Sequence, residues 1–181
     1  MTTAKTISDQ KLVSRAKAIR LLLLDVDGVL TDGRLYYGNN GEELKAFNIQ
    51  DGLGIKLLQR NGVKVGIITG RSSELLARRA NELGIDLVVQ GREDKLVALK
   101  EVLKTHDYRM EEIAFLGDDL PDVAVIRQVG LGVAVANARH FVVENAVWQT
   151  SASGGHGAVR ELVEMILQAQ DKLNSTQADY L

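Results

Sequence analysis

The chain has 181 residues, 45% of them hydrophobic and 25% charged, with a formal net charge of −2. That length suits one ordinary domain with a sizeable core, and the composition is that of a soluble globular protein. The near-neutral charge gives no electrostatic footprint for nucleic acid or a lipid surface. The absence of cysteine excludes disulfides, thiolate metal sites and a thiol nucleophile.

In chain order, Asp9 to Ala18 has the pattern of a short amphipathic helix, with Ser8 as candidate N-cap. "RLLLLDV" follows. Its Leu21 to Leu24 run is too short for a membrane span and is closed by acids, so it is not a signal segment and a cytoplasmic protein is expected. "RLYYGNNGEELKAFN" alternates polar and apolar residues on both sides of "NNG", which predicts a protruding β-hairpin over about residues 34–48. One helical pattern later come "VKVGIIT" and "IAFLGDD", apolar runs that, like "RLLLLDV", suit strands buried on both faces of a parallel sheet. Between these two, "SSELLARRANELG" places Leu76, Arg79, Ala80 and Leu83 at helical spacing and stops at Gly84. "EDKLVALKEVLKTH" repeats the theme with Leu96, Leu99, Val102 and Leu103. "GLGVAVA" reads as a further strand. "AVRELVEMILQAQ" reads as a closing helix on Val159, Leu162, Val163 and Ile166, before a polar, flexible tail at 173–181. The alternation predicts a single α/β domain over residues 1–181, doubly wound and Rossmann-like, with a central, mostly parallel sheet.

In such sheets ligands bind beyond the carboxyl ends of the strands. Here each main strand ends on reactive groups: Asp25 and Asp27, then Thr69 in "ITGR", then Asp118, Asp119 and Asp122 in "LGDDLPD". Lys95 lies at or near a helix start in "GREDKL", and the single proline, Pro121, sits where a helix's first turn tolerates one. Asp25 and Asp27 raise a physical question. Side chains alternate along a strand, so both carboxylates can share a side. At about 4 Å and an effective dielectric near 20, two like charges repel by roughly 4 kcal/mol. A shared proton, a bound cation or a separating turn would each offset that repulsion.

The set suits phosphate. An aspartate can attack phosphorus to form an aspartyl-phosphate, and an acid two residues on can protonate the leaving oxygen and then activate water. Loop amides around Val26 to Gly28, the Thr69 hydroxyl and the Lys95 ammonium can hold three phosphate oxygens. With only oxygen ligands on offer, Mg²⁺ is the natural cation.

"DVDGVLTDG", Thr69, Lys95 and "GDDLPD" resemble, in order, the four motifs of the haloacid dehalogenase superfamily. The resemblance runs from about residue 20 to 170, takes in "GNNGEELKAFN", "QDGLGI" and "GGHGAVRE", and is to a branch of phosphatases acting on acidic keto-sugar phosphates. It implies Asp25 as nucleophile, Asp27 as general acid and base, and Thr69 and Lys95 as phosphate holders. It puts Mg²⁺ on Asp25, the Asp27 backbone carbonyl and Asp118. Sugar-phosphate contacts fall at Asn48, Ile49, Gln50, Asp51, Gly52, Lys56, Gly70, Arg71, Arg79 and Lys95, with Asp27. The implied reaction is Mg²⁺-dependent hydrolysis of 3-deoxy-D-manno-octulosonate (KDO) 8-phosphate in lipopolysaccharide biosynthesis, with the nine-carbon KDN 9-phosphate as the alternative. The intervals between Asp27, Thr69 and Lys95 are too short for a cap domain, so the site is expected to be cap-free. The resemblance further implies a homotetramer whose hairpins meet at its centre. It also implies a glycine-rich segment, "SASGGHGAVRE" at 151–161, lying over a neighbouring subunit's site. No nucleic acid or membrane partner is expected.

Some of these residues have plainer readings. Asp119 and Asp122 can cap the helix at Pro121, and Arg78 and Arg79 suit a solvated helix face. His156 suits a loop, Asn39-Asn40-Gly41 a simple turn, and Tyr36, Tyr37 and Phe47 hairpin packing. A receiver-like signalling module uses similar groups, but with the acidic pair first and not last. A non-catalytic oligomerisation module of dehalogenase type would not need every chemical position filled. Mg²⁺-dependent turnover of a phosphomonoester separates the three.

Overall fold

A computed structural model describes residues 10–39 and 43–181. Helix α1 spans Gln10–Lys17; Ser8, Asp9 and the Asn40-Gly41 part of the hairpin turn lie outside the described residues. The chain continues through β1 (Leu21–Leu24), the hairpin strands β2 (Tyr36–Tyr37) and β3 (Glu43–Leu44), α2 (Ile49–Arg60), β4 (Lys64–Ile68) and α3 (Glu74–Glu82). Then come β5 (Leu87–Val89), α4 (Lys95–Val102), β6 (Ile113–Gly117), α5 (Leu120–Ile126), β7 (Leu131–Ala134) and α6 (His140–Asn145). The last elements are β8 (Trp148–Gln149), α7 (Ala158–Ala169) and α8 (Leu173–Ala178).

Six strands form one sheet in the order β5-β4-β1-β6-β7-β8, and every neighbouring pair in it is parallel. Leu21 to Leu24 are buried on both faces, as their unbroken apolar run requires. Leu22 and Leu24 pack with Ala114, Leu116, Val133 and the helices α1, α2, α3 and α7. Leu21 and Leu23 point the other way, to Phe115 and the helices α4, α5 and α6. From β1 the chain passes outward to β4 and β5 and then returns to β6 on the opposite side of β1. That reversal opens a crevice at the carboxyl ends of β1 and β6, where the acidic residues collect.

Three features depart from the expected pattern. The hairpin pairs only Tyr36 with Leu44 and Tyr37 with Glu43, so its connection is longer than a two-residue Asn-Gly turn. Strand β8 is two residues long and pairs with β7 alone, too short to leave a periodic signal. The expected tail forms α8, because its polar residues have partners: Thr176 Oγ1 accepts from Asn61 Nδ2 at 2.9 Å, and Lys172 Nζ donates to Asn61 O at 2.7 Å.

The glycine-rich segment is tied down within its own chain. Gly155 N donates to Val29 O at 2.8 Å, Gly154 N donates to Asn137 Oδ1 at 2.9 Å, and Glu161 accepts from the backbone of Ser151 and Ala152. Asp51 receives the amides of Gly157 and Arg160 at the start of α7. That helix buries Val159, Leu162, Val163 and Ile166 completely. A chain cut after Gly154 would therefore lose a core helix. Ile166→Ala should lower the unfolding free energy by about 2–5 kcal/mol. The check is a urea titration in which the midpoint falls and the slope stays constant; an unchanged midpoint would show that α7 is not part of the cooperative core.

Candidate active site

Strand β1 delivers Asp25 into the crevice, where Lys95 Nζ, from the first turn of α4, lies 2.8 Å from Asp25 Oδ1. The same ammonium lies 2.5 Å from Asp122 Oδ1, and all three groups are buried. Asp122 spends its other oxygen on the amides of Asp118 at 2.9 Å and Asp119 at 3.2 Å. Asp119 caps α5, and its backbone amide closes a capping box with Asp122. Both plainer readings of these two residues thus hold: each caps the helix, and in doing so shapes the loop that aims Asp118. Gly28, at φ 93°, sits where a Cβ would collide with the Asp118 carboxylate, so only glycine lets these two loops approach so closely.

Asp25, Asp118 and Asp122 present oxygens within 4.8 Å of one another. Burial, reinforced by the charges of Asp25, Asp122 and Asp119, pushes the Asp118 carboxyl up to about 8. Burial and the Asp122 charge push Asp25 up to about 6 against the pull of Lys95. Burial alone would lower Lys95, but Asp122 and Asp25 outweigh it and raise the ammonium. Burial is the larger cause and the neighbouring carboxylates add to it; an all-oxygen donor set in which three acids face one ammonium fits a hard divalent cation. Because both Asp122 oxygens already accept hydrogen bonds, Asp25 and Asp118 are the side chains left for it. The Asp27 carboxylate is not in the cluster, which agrees with a backbone contact from that residue.

A cleft of about 320 Å³ lies over this cluster, lined by Asp25, Asp27, Gly33, Thr69, Gly70, Arg71, Glu93, Lys95, Asp118, Asp119, Pro121 and Asp122. The structure so brings together Asp25, Asp27, Thr69, Gly70, Arg71, Lys95 and Asp118. Asn48, Ile49, Gln50, Asp51, Gly52, Lys56 and Arg79 do not line the cleft of their own chain. Asn48 caps α2 and donates to Gly155 O at 3.3 Å; Asp51 is buried on backbone amides; Ile49, Gln50 and Lys56 are exposed. Arg79 bonds Glu82 and stacks over Phe47, beside a Gly52 whose missing side chain makes room for the guanidinium. Lys45 went unnoticed in the sequence: it approaches Asp27 Oδ1 to 2.5 Å from just beyond β3, with its side chain 2% exposed. Its position in the hairpin arm gave no signal, because the contact is made across a loop.

The fold and this site define a haloacid dehalogenase-like hydrolase, and the family model of that description matches residues 88–162. A 3-deoxy-D-manno-octulosonate 8-phosphate phosphatase from Yersinia pestis is 53% identical over 89% of this chain and 86% of its own length. The enzyme of that name from Escherichia coli K12 is 47% identical over 91% of this chain and 88% of its own. The chain belongs to this phosphatase family. The solved structure of the Moraxella catarrhalis member, in complex with magnesium, phosphate and KDO, superposes with a TM-score of 0.94 at 42% identity, covering 96% of this chain and 99% of that one.

In metal-free protein, the raised Asp118 pKa means that the folded state holds its proton more tightly than the unfolded chain does. Stability from this group is therefore lost as pH rises from the ordinary 3.8 to about 8. Asp118→Asn removes that slope. In EDTA the Tm of Asp118→Asn should overtake that of the native chain by a margin that widens from about pH 5 to about pH 8, and Mg²⁺ should raise only the native Tm. Parallel Tm profiles would refute the charge-strained cluster.

Proposed function

We propose that this chain hydrolyses KDO 8-phosphate to KDO and inorganic phosphate, with Asp25 as nucleophile and Mg²⁺ as cofactor, in lipopolysaccharide biosynthesis. The observation that carries it is Asp25 held 2.8 Å from Lys95 inside an all-oxygen acidic cluster. Asp25 attacks the phosphorus and the bond to the sugar oxygen breaks; Asp27 gives that oxygen its proton. Asp27 then takes a proton from water as the water attacks the aspartyl-phosphate, which returns Asp25 and releases phosphate. Lys95 and Thr69 hold the transferred group, and Lys95 also fixes Asp25. Mg²⁺, held by Asp25, Asp118 and the Asp27 carbonyl, would neutralise charge on the acids and the phosphate. For the sugar carboxylate, Arg71 is the cation that lines the cleft; Arg79 and Lys56 belong to the surface around Asn48 to Gly52.

Asp25→Asn should abolish turnover, and Asp27→Asn should be nearly inactive while keeping its Mg²⁺ affinity. Full activity in either, or in EDTA, would sink the mechanism. Comparing kcat/KM for KDO 8-phosphate, KDN 9-phosphate and a neutral sugar phosphate tests the substrate: the first should be preferred, and a win for the neutral compound would refute the carboxylate reading.

The proposal extends to a cytoplasmic homotetramer. Among the described residues no helix is long and apolar enough to cross a membrane. Leu35, Tyr36, Tyr37, Leu44, Ile49 and Leu53 are all exposed on and beside the hairpin. Tyr36 opposes Leu44 in the hairpin, yet both stay exposed, and an apolar cluster of this kind supports association through this face. Tyr37→Glu with Leu44→Glu should reduce the sedimenting mass; an unchanged mass would place the interface elsewhere.

A further inference from the structure

Lys45 has no place in the reaction as written, yet its geometry is that of a working part. Its side chain is 2% exposed, and its ammonium reaches Asp27 Oδ1 at 2.5 Å from the returning arm of the hairpin. It does not line the cleft, whereas Asp27 and Arg71 do. On the other side of the carboxylate, Arg71 Nε lies 3.7 Å from Asp27 Oδ2, and Arg71 also reaches the Tyr37 hydroxyl at 3.5 Å. The two oxygens of Asp27 are thereby distinguished: one meets the Lys45 ammonium, which does not line the cleft, and the other faces Arg71, which does.

We propose that Lys45 is a positioning residue for phosphoryl transfer, anchoring Asp27 Oδ1 from behind so that Oδ2 is presented to the leaving oxygen. The inference rests on the general acid and base role given to Asp27 above. A carboxylate on a short side chain rotates freely about its χ angles unless something fixes it, and a proton donor displaced by about 1 Å can cost on the order of 100-fold in rate. A buried, charge-assisted hydrogen bond is a strong way to fix it. Lys45 does not line the cleft, so the influence proposed for it on the reaction passes through Asp27. The anchor also comes from the hairpin, which makes that element part of the chemistry as well as a surface feature.

The consequence depends on the leaving group. An alkyl oxygen needs its proton as the bond breaks, and an aryl oxide such as p-nitrophenolate needs little help. Because kcat/KM reports steps up to the first irreversible one, it isolates phosphoryl transfer from the later water step. Lys45→Met should lower kcat/KM for KDO 8-phosphate by about 10- to 100-fold and that for p-nitrophenyl phosphate by about threefold or less. Lys45→Arg should recover most of the loss, and in an Asp27→Asn background Lys45→Met should cost nothing further. Should Lys45→Met not fold, Lys45→Gln is read in the same way. Equal losses on both substrates, or a loss that persists in the Asp27→Asn background, would overturn the positioning role. If Asp27→Asn loses alkyl turnover selectively and Lys45→Met does not, Lys45 falls while Asp27 stands. If Asp27→Asn shows no such selectivity, the general acid assignment fails, and the role of Lys45 fails with it.

Discussion

Three acids, Asp25, Asp118 and Asp122, crowded within 4.8 Å around one buried ammonium, set the terms for everything near the carboxyl edge of the sheet. At an effective dielectric near 20, each like-charged pair at about 4 Å repels by roughly 4 kcal/mol. One lysine cannot neutralise three carboxylates, and burial together with that repulsion displaces Asp118 and Asp25 upward. A phosphate dianion entering the same cleft would add to the excess. The site is therefore strained by design until a divalent cation arrives, and the same strain makes it a strong cation site.

The scaffold holds that strain by making nearly every neighbouring backbone group a fixed point. The parallel order places β1 between β4 and β6, so three strand ends deliver Asp25, Thr69 and Asp118 to one crevice. Asp122 lies 2.5 Å from the ammonium through one oxygen and accepts two loop amides through the other. Gly117 lies so close to Asp122 that a side chain there would strike its carboxylate. Rigidity of this kind suits a reaction in which orientation and preorganised charge carry most of the barrier reduction.

Much of this was legible in the chain itself. Unbroken apolar runs such as Leu21 to Leu24 announced doubly buried parallel strands, and the reactive residues stood at their ends, where topology requires them. The four motifs pointed to Asp25, Asp27, Thr69, Lys95 and Asp118, which the structure brings to one cleft. What escaped had physical reasons. Strand β8 is too short for periodicity to register, and α8 is mostly polar, its Thr176 joined to Asn61 by a hydrogen bond that is invisible in one dimension. Asp51, in the expected substrate segment, has a second role that one dimension hides: its buried carboxylate accepts two amides at the start of α7. Lys45 is the reverse case: an ordinary-looking charge in a hairpin arm whose importance exists only across space.

The contact between Gly154 and the catalytic loop joins distant parts of the chain. A Cβ at Gly154 would collide with the Gly28 carbonyl, and Gly155 bonds Val29, so the loop after Asp25 is shaped from outside by a segment about 125 residues downstream. That segment is in turn held by α7 through Glu161 and by α2 through Asp51 and Asn48. The shape of this loop is therefore a tertiary property: contacts between segments far apart in the sequence must all form before it has its geometry.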